Sequence, residues 1–300
     1  RSSTLRPEHL QERAHRAEPD RSTARPPGLF EVPFRTLGKH AVVHAVLNEK
    51  AVVSLLLDTG ATRTLIRPEI TTHLDLQPND AALTQTVTII GGRQVSVPLF
   101  EIETLTVGQA VTSALLTGVV SSFPEAPFVD GLLGGDFLEQ FAMVLDYTRS
   151  RLWLTPLELR PRFSTPLPDP RRAISLRLAG TLVLVQAVLN HTAPVTLLLD
   201  TGASYSLLTP EAALRSGIRV TPEAPTQTLV RADGQRYEVP FAPATALTLG
   251  PVVVEQVALG LADVFPQAPM IDGVLGVDVL ERFTVTLDWA NRRMWLEPRS

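Results

Sequence analysis

The chain repeats itself at a fixed distance, and this constrains its fold more than any other feature. Residues 52–69 read VVSLLLDTGATRTLIRPE, and residues 194–211 read PVTLLLDTGASYSLLTPE. The spacing is 142 residues, and 11 of the 18 positions are identical. Residues 129–154 and 271–296 match at the same spacing, with 13 of 26 positions identical. Shorter matches lie between the blocks, among them Thr84-Gln85-Thr86 with Thr226-Gln227-Thr228 and Phe123-Pro124 with Phe265-Pro266. A constant spacing leaves no net insertion across the unit, so the simplest reading is a duplication giving two similarly folded lobes. The first lobe is expected over 31–156 and the second over 173–300. Between them, residues 157–172 carry four prolines and four arginines and read as an exposed linker. Residues 1–30 lack apolar periodicity and read as a mobile arm, a solvated extension rather than a basic recognition tail.

Each lobe reads as β. His40–Leu47 and Thr181–Leu189 are apolar and β-branched, and Val53–Leu57 and Val195–Leu199 are short continuous apolar runs of the kind buried on both faces of a sheet. Gly91-Gly92 and Asp233-Gly234 punctuate alternating segments, the mark of a hairpin. Short helices are expected at 68–74, 135–141, 210–216 and 277–283, with proline opening the first and third. The 25 prolines and 18 glycines suit a turn-rich β protein. The absence of cysteine excludes disulfides, thiolate catalysis and Cys-based metal sites. A net charge of −4 gives no ground for nucleic acid as a partner, and no apolar run is long enough for an integral membrane segment.

The chemistry lies in Asp58-Thr59-Gly60 and Asp200-Thr201-Gly202, each following Leu-Leu-Leu at the end of a buried run. A chance Asp-Thr-Gly is expected in roughly one chain in fifteen of this length; two at equivalent positions of a repeat are far rarer. A pseudo-two-fold axis between the lobes would bring Asp58 and Asp200 together. Two adjacent carboxylates cannot both ionise, so they share a proton and can act as general base and general acid on one water.

This pattern resembles the aspartic peptidases. Asp-Thr-Gly-Ala at 58–61 and 200–203 is similar to the retropepsin branch, and Asp-Gly-Leu-Leu-Gly at 130–134 with Asp-Gly-Val-Leu-Gly at 272–276 resembles the apolar element packed behind the catalytic loop. The segments that follow resemble the end of a pepsin-type lobe. The resemblance implies an all-β, bilobal acid-protease fold: two β-barrel-like lobes about a pseudo-two-fold axis, with the active-site cleft between them. It also implies catalytic roles for Asp58 and Asp200, a cross-lobe hydrogen bond from Thr59 and Thr201, and no cofactor or metal beyond the catalytic water. Gly60 and Gly202 allow close backbone approach. Ala61 and Ala203 stand where pepsin-type enzymes carry a hydroxyl donor to the carboxylate, so a mildly acidic optimum is expected. The hairpins 86–98 and 228–240 are expected to form two flaps over the substrate, with Ile90, Gly91, Gly92, Ala232, Asp233 and Gly234 at or near their tips. The Asp–Arg ion pair that helps to hold retropepsin dimers is missing: Thr62-Arg63 and Ser204-Tyr205 follow the alanines, and Gly135 and Val277 follow the conserved glycines.

Lesser candidates follow. Asp136 and Asp278 are read as caps or ties for short helices, Asp130 and Asp272 as turn formers, and Trp153 and Trp295 as core. His40 and His44 are four apart on a strand and do not recur in the second lobe, which argues against a zinc pair. Arg63 and Tyr205 stand evenly between subsite and packing roles. The sequence thus points to a monomeric aspartic endopeptidase acting on extended peptide or protein segments. A non-catalytic peptide-binding protein and a dedicated processing protease with one target are the alternatives. The composition suggests a bacterial source. The chain starts at Arg1, which fits a removed signal peptide and a periplasmic or secreted location, with the cytoplasm as the alternative.

Overall fold

A computed structural model describes residues 29–78, 84–88, 94–121, 123, 128–157, 168–230, 236–263 and 265–299. The arm before residue 29, most of the linker and all six expected flap-tip residues lie outside the described residues. In the first lobe the elements run β1 (Phe30–Leu37), β2 (His40–Leu47), β3 (Ala51–Leu57), β4 (Leu65–Ile66), α1 (Pro68–His73), β5 (Thr84–Thr88), β6 (Gln94–Val107), β7 (Ala110–Val119), β8 (Gly131–Leu133), α2 (Gly135–Leu138), β9 (Phe141–Asp146) and β10 (Arg151–Pro156). The second lobe repeats them as β11 (Ile174–Ala179), β12 (Leu182–Leu189), β13 (Ala193–Leu199), β14 (Leu207–Leu208), α3 (Pro210–Arg215), β15 (Thr226–Val230), β16 (Arg236–Leu249), β17 (Val252–Leu261), β18 (Gly273–Leu275), α4 (Val277–Leu280), β19 (Phe283–Asp288) and β20 (Arg293–Pro298).

Strand pairing closes each lobe on itself. In the first lobe the ring runs β2–β3–β8–β4–β7–β6 and back to β2, with β3–β8 and β4–β7 parallel and the rest antiparallel. The second lobe closes through the equivalent strands, β12–β13–β18–β14–β17–β16. Closure removes open edges from the barrel. The turns repeat as well: Asn48-Glu49 and Asn190-His191 both hold positive φ between β2 and β3 and between β12 and β13, as tight hairpin turns require.

A third sheet joins the lobes. It runs β1–β10–β9–β19–β20–β11, with β9 and β19 antiparallel at its centre. There Val144 pairs with Thr286, two residues that are each other's equivalents under the 142-residue repeat, while Met143 pairs with Leu287 and Leu145 with Val285. A pair of equivalents facing each other can lie only on the two-fold axis, so the axis passes between Val144 and Thr286. β1 and β11 each start in this sheet and continue into their own barrel.

The uninterrupted leucine runs are explained by burial on both faces. Leu55 and Leu57 face the main core, which runs through both lobes, and Leu56 faces a second cluster with Val42, Leu65, Phe123, Val129 and Leu132. Leu197, Leu198 and Leu199 repeat this. Such placement moves a strand end wholly out of water, and each leucine contributes about 1.5–3 kcal/mol by its transfer. Helices α1 and α3 open on Pro68 and Pro210 as expected, whereas α2 and α4 are only four residues long because Phe141 and Phe283 already begin strands. Trp295 is core, but Trp153 is only half-buried. It lies on the face of β10 opposite to buried Leu152 and Leu154, so period-2 alternation directs it away from the core.

Candidate active site

The two Asp-Thr-Gly loops leave the carboxyl ends of β3 and β13, where the neighbouring parallel strands β8 and β18 also end. The Asp58 N–H donates to the Leu133 carbonyl at 3.0 Å, and the Asp200 N–H to the Leu275 carbonyl at 3.0 Å. Each aspartate follows a strand end fixed by three buried leucines, so its backbone has little freedom.

The loops meet across the axis through their threonines. The Thr59 hydroxyl donates to the Leu199 carbonyl at 2.8 Å and accepts the Thr201 N–H at 3.1 Å. The Thr201 hydroxyl donates to the Leu57 carbonyl at 2.8 Å and accepts the Thr59 N–H at 3.0 Å. Both side chains are buried, as are Leu57 and Leu199. The four bonds thus satisfy four backbone groups at strand ends that burial cuts off from water. Glycine follows because nothing larger fits. A Cβ on Gly60 would lie 2.4 Å from the Asp200 carboxyl carbon, and one on Gly202 would lie 2.6 Å from that of Asp58.

The carboxyls of Asp58 and Asp200 lie close enough across the axis for each to bear on the other's protonation. Each also accepts two backbone N–H groups on its Oδ1: Gly60 at 2.9 Å and Ala61 at 3.0 Å for Asp58, Gly202 at 2.8 Å and Ala203 at 3.1 Å for Asp200. Burial pushes Asp58 well above the usual carboxylate range; the Asp200 charge adds to this, and the Gly60 and Ala61 N–H groups oppose it. Burial also raises Asp200, but its N–H donors and the neighbouring Asp58 carboxyl hold it down. The pair therefore retains a proton above the ordinary range, and that proton belongs to the two carboxyls together.

Behind each loop stands a buttress. Asp136 accepts the Thr64 N–H at 2.8 Å, the Thr64 hydroxyl at 2.7 Å and the Phe137 N–H at 2.9 Å, while the Gly134 N–H donates to the Thr64 hydroxyl at 3.1 Å. Asp278 and Ser206 repeat this arrangement. These carboxylates tie the loop to the helix, and the N-caps of α2 and α4 are Gly134 and Gly276. Asp130 and Asp272 likewise accept the N–H of Ser54 at 2.7 Å and of Thr196 at 2.8 Å.

The remaining candidates divide. Arg63 bonds to the Gln85 side chain on β5 and to the Leu116 carbonyl, so it braces the base of the first hairpin. Tyr205 packs edge-on against Phe241, ring centroids 5.4 Å apart. The hairpin arms pair in identical registers, Thr84 with Pro98 through Thr88 with Gln94, and Thr226 with Pro240 through Val230 with Arg236. His44 is exposed, but His40 is buried, with its Nε2 3.0 Å from the Ser204 hydroxyl of the opposite lobe. That contact escaped sequence reasoning because it crosses 164 residues and breaks the repeat; the one signal was the unequal pair, His40 against Leu182. Among the described residues, no group of three or more His, Asp or Glu side chains could hold a metal ion, and no helix is long and apolar enough to cross a membrane.

Comparison with known proteins agrees with this geometry. The chain superposes on the crystal structure of an aspartic proteinase from Irpex lacteus with a TM-score of 0.58, over 91% of this chain and 98% of that one. At 16% identity the likeness speaks for the fold, a bilobal all-β architecture with two barrel-like lobes. Comparison with curated protein sequences returns no match. The sequence profile described as aspartyl protease matches twice, over residues 43–137 and 185–279, which are again 142 residues apart and together span well over half of the chain. This chain belongs to the aspartyl protease family and carries the family's unit twice.

Proposed function

We propose that the protein is an aspartic endopeptidase that hydrolyses peptide bonds in extended polypeptide segments, with Asp58 and Asp200 sharing one proton over a water between them. The observation that carries the reading is the close approach of the two loops across the axis, with each carboxyl fixed by two backbone N–H donors and lying against the other loop's glycine. The ionised carboxylate of the pair takes a proton from the water as the water oxygen attacks the scissile carbonyl carbon. The protonated partner gives its proton to the carbonyl oxygen, so the tetrahedral intermediate is a neutral diol. As the diol collapses, the first carboxyl returns its proton to the departing nitrogen, and the second recovers a proton from a diol hydroxyl as the new carboxyl forms. The C–N bond breaks, one water is consumed and the pair ends as it began. No covalent intermediate forms.

The two hairpins, of equal arm length and register, support a two-lid site over a strand-like substrate. The β9–β19 pairing completes the dyad within one chain and supports activity as a monomer. The test is digestion of an apolar-rich peptide library read by mass spectrometry, with hydroxylamine present. The reading expects internal cuts and free carboxyl products without hydroxamate. Hydroxamate would indicate an acyl-enzyme and contradict it.

A further inference from the structure

The repeat is closely two-fold at the catalytic loops but not in what holds them from outside. The β1–β2 turn of the first lobe reaches across the axis and grips the second loop with side chains. Lys39 Nζ lies 2.7 Å from Glu281, the C-cap residue of α4. His40, next in sequence and 7% exposed, places Nε2 3.0 Å from the Ser204 hydroxyl, with the Gly202 backbone beside the imidazole. Gly202 and Ser204 flank Ala203, whose N–H donates to Asp200 at 3.1 Å and whose carbonyl accepts the Val277 N–H at 2.9 Å. The imidazole therefore bonds to the residue that follows a donor holding the catalytic carboxylate. The equivalent turn of the second lobe has Thr181 and Leu182. Only the Thr181 hydroxyl reaches the first loop, donating to the Thr62 carbonyl at 3.2 Å, and a leucine offers no polar atom where His40 has its ring.

We infer that His40 is a positioning residue for the second catalytic loop: by holding Ser204 across the lobe boundary it fixes the neighbouring Ala203 N–H on Asp200, and it makes the two aspartates unequal. The inference rests on the peptidase reading and deepens it. A group that acts through Ala203 and Asp200 should be felt in the chemical step more than in substrate binding, since a displacement of about 1 Å in a catalytic group costs on the order of a hundredfold in rate. Leucine at position 40 copies the second lobe, and glutamine carries a polar nitrogen near the place of Nε2.

The experiment compares the intact chain with His40→Leu, His40→Gln, Ser204→Ala and the double variant His40→Leu/Ser204→Ala on one peptide cut by the parent. His40→Leu is expected to lower kcat by about 10- to 100-fold with KM changed less than about twofold. His40→Gln should recover most of the loss, and the double variant should be no worse than the poorer single one. An unchanged kcat, a loss confined to KM, or multiplying losses in the double variant would overturn the inference. The amide signals of Ala203 and Ala61, read by 15N NMR on the whole chain, test it without turnover. His40→Leu should displace Ala203 and leave Ala61 in place, and His40→Gln should restore Ala203; equal displacement of both amides, or of neither, would refute the positioning role. A parent chain that cuts nothing while showing the Ala203 response would count against the peptidase reading alone.

Discussion

Replacing Thr59 by alanine tests whether the crossed threonines hold the dyad together. The side chain is fully buried, and its hydroxyl makes two bonds to the other lobe, to the Leu199 carbonyl at 2.8 Å and from the Thr201 N–H at 3.1 Å. Alanine leaves both backbone groups buried without that partner. Each orphaned group costs about 1–3 kcal/mol, so the loss should be about 2–6 kcal/mol. That is a large part of the ~5–15 kcal/mol that holds a typical domain folded. Thr59→Ser keeps the hydroxyl and removes one methyl, worth about 0.8 kcal/mol. Urea unfolding at neutral pH, with m checked for constancy, separates the two. Near-equal losses for alanine and serine would mean that methyl packing, not the hydroxyl, matters there. A loss under about 1 kcal/mol for alanine would refute the reasoning outright.

Three further outcomes follow from the same geometry. Gly60→Ala puts a methyl 2.4 Å from the Asp200 carboxyl carbon, so steady-state kinetics on a cleavable peptide should show kcat reduced on the order of a hundredfold, and an active variant would contradict so close an approach of the two loops. Asp58→Asn should stabilise the fold at high pH: the Asp58 pKa is raised by burial and by Asp200, so its contribution is complete below the unfolded carboxylate range and is lost as pH rises through the folded value. The gain is about 1.4 kcal/mol for each tenfold rise in proton affinity, and Tm measured from pH 4 to pH 8 should show it growing with pH; a constant difference would contradict the assignment. The kcat/KM profile should be bell-shaped, its acid limb set by ionising one carboxyl of the pair and its basic limb by losing the shared proton, with a maximum at about pH 4.5–6.5; a maximum near pH 2 would refute the argument from Ala61 and Ala203.

The sequence made the site legible because its parts are local. Leu-Leu-Leu before each Asp-Thr-Gly forecast a strand end buried on both faces, and the leucines divide between two core clusters as that requires. Asp136 and Asp278 were readable as ties because a carboxylate two residues after a glycine turn can reach backbone N–H groups nearby. The repeat forecast two lobes about an axis; the structure placed that axis by pairing the equivalents Val144 and Thr286. The sequence was silent on cross-lobe contacts that the repeat does not share. The partners of His40 and Lys39 lie 164 and 242 residues away, on surfaces that local periodicity does not describe. Arg63 stood evenly between binding and packing until the Gln85 and Leu116 partners were seen. Trp153 misled because a recurring tryptophan looks like core, while strand alternation between Leu152 and Leu154 turns it outward.

The central claim is that Asp58 and Asp200 act as one catalytic unit. The most direct measurement is cleavage of an apolar-rich peptide library from pH 3 to pH 8 by the intact chain, Asp58→Asn and Asp200→Asn, each checked for folding by its thermal transition. A shared dyad predicts that the intact chain cuts, and that both folded variants lose activity by several orders of magnitude. Substantial cleavage by either folded variant would contradict it.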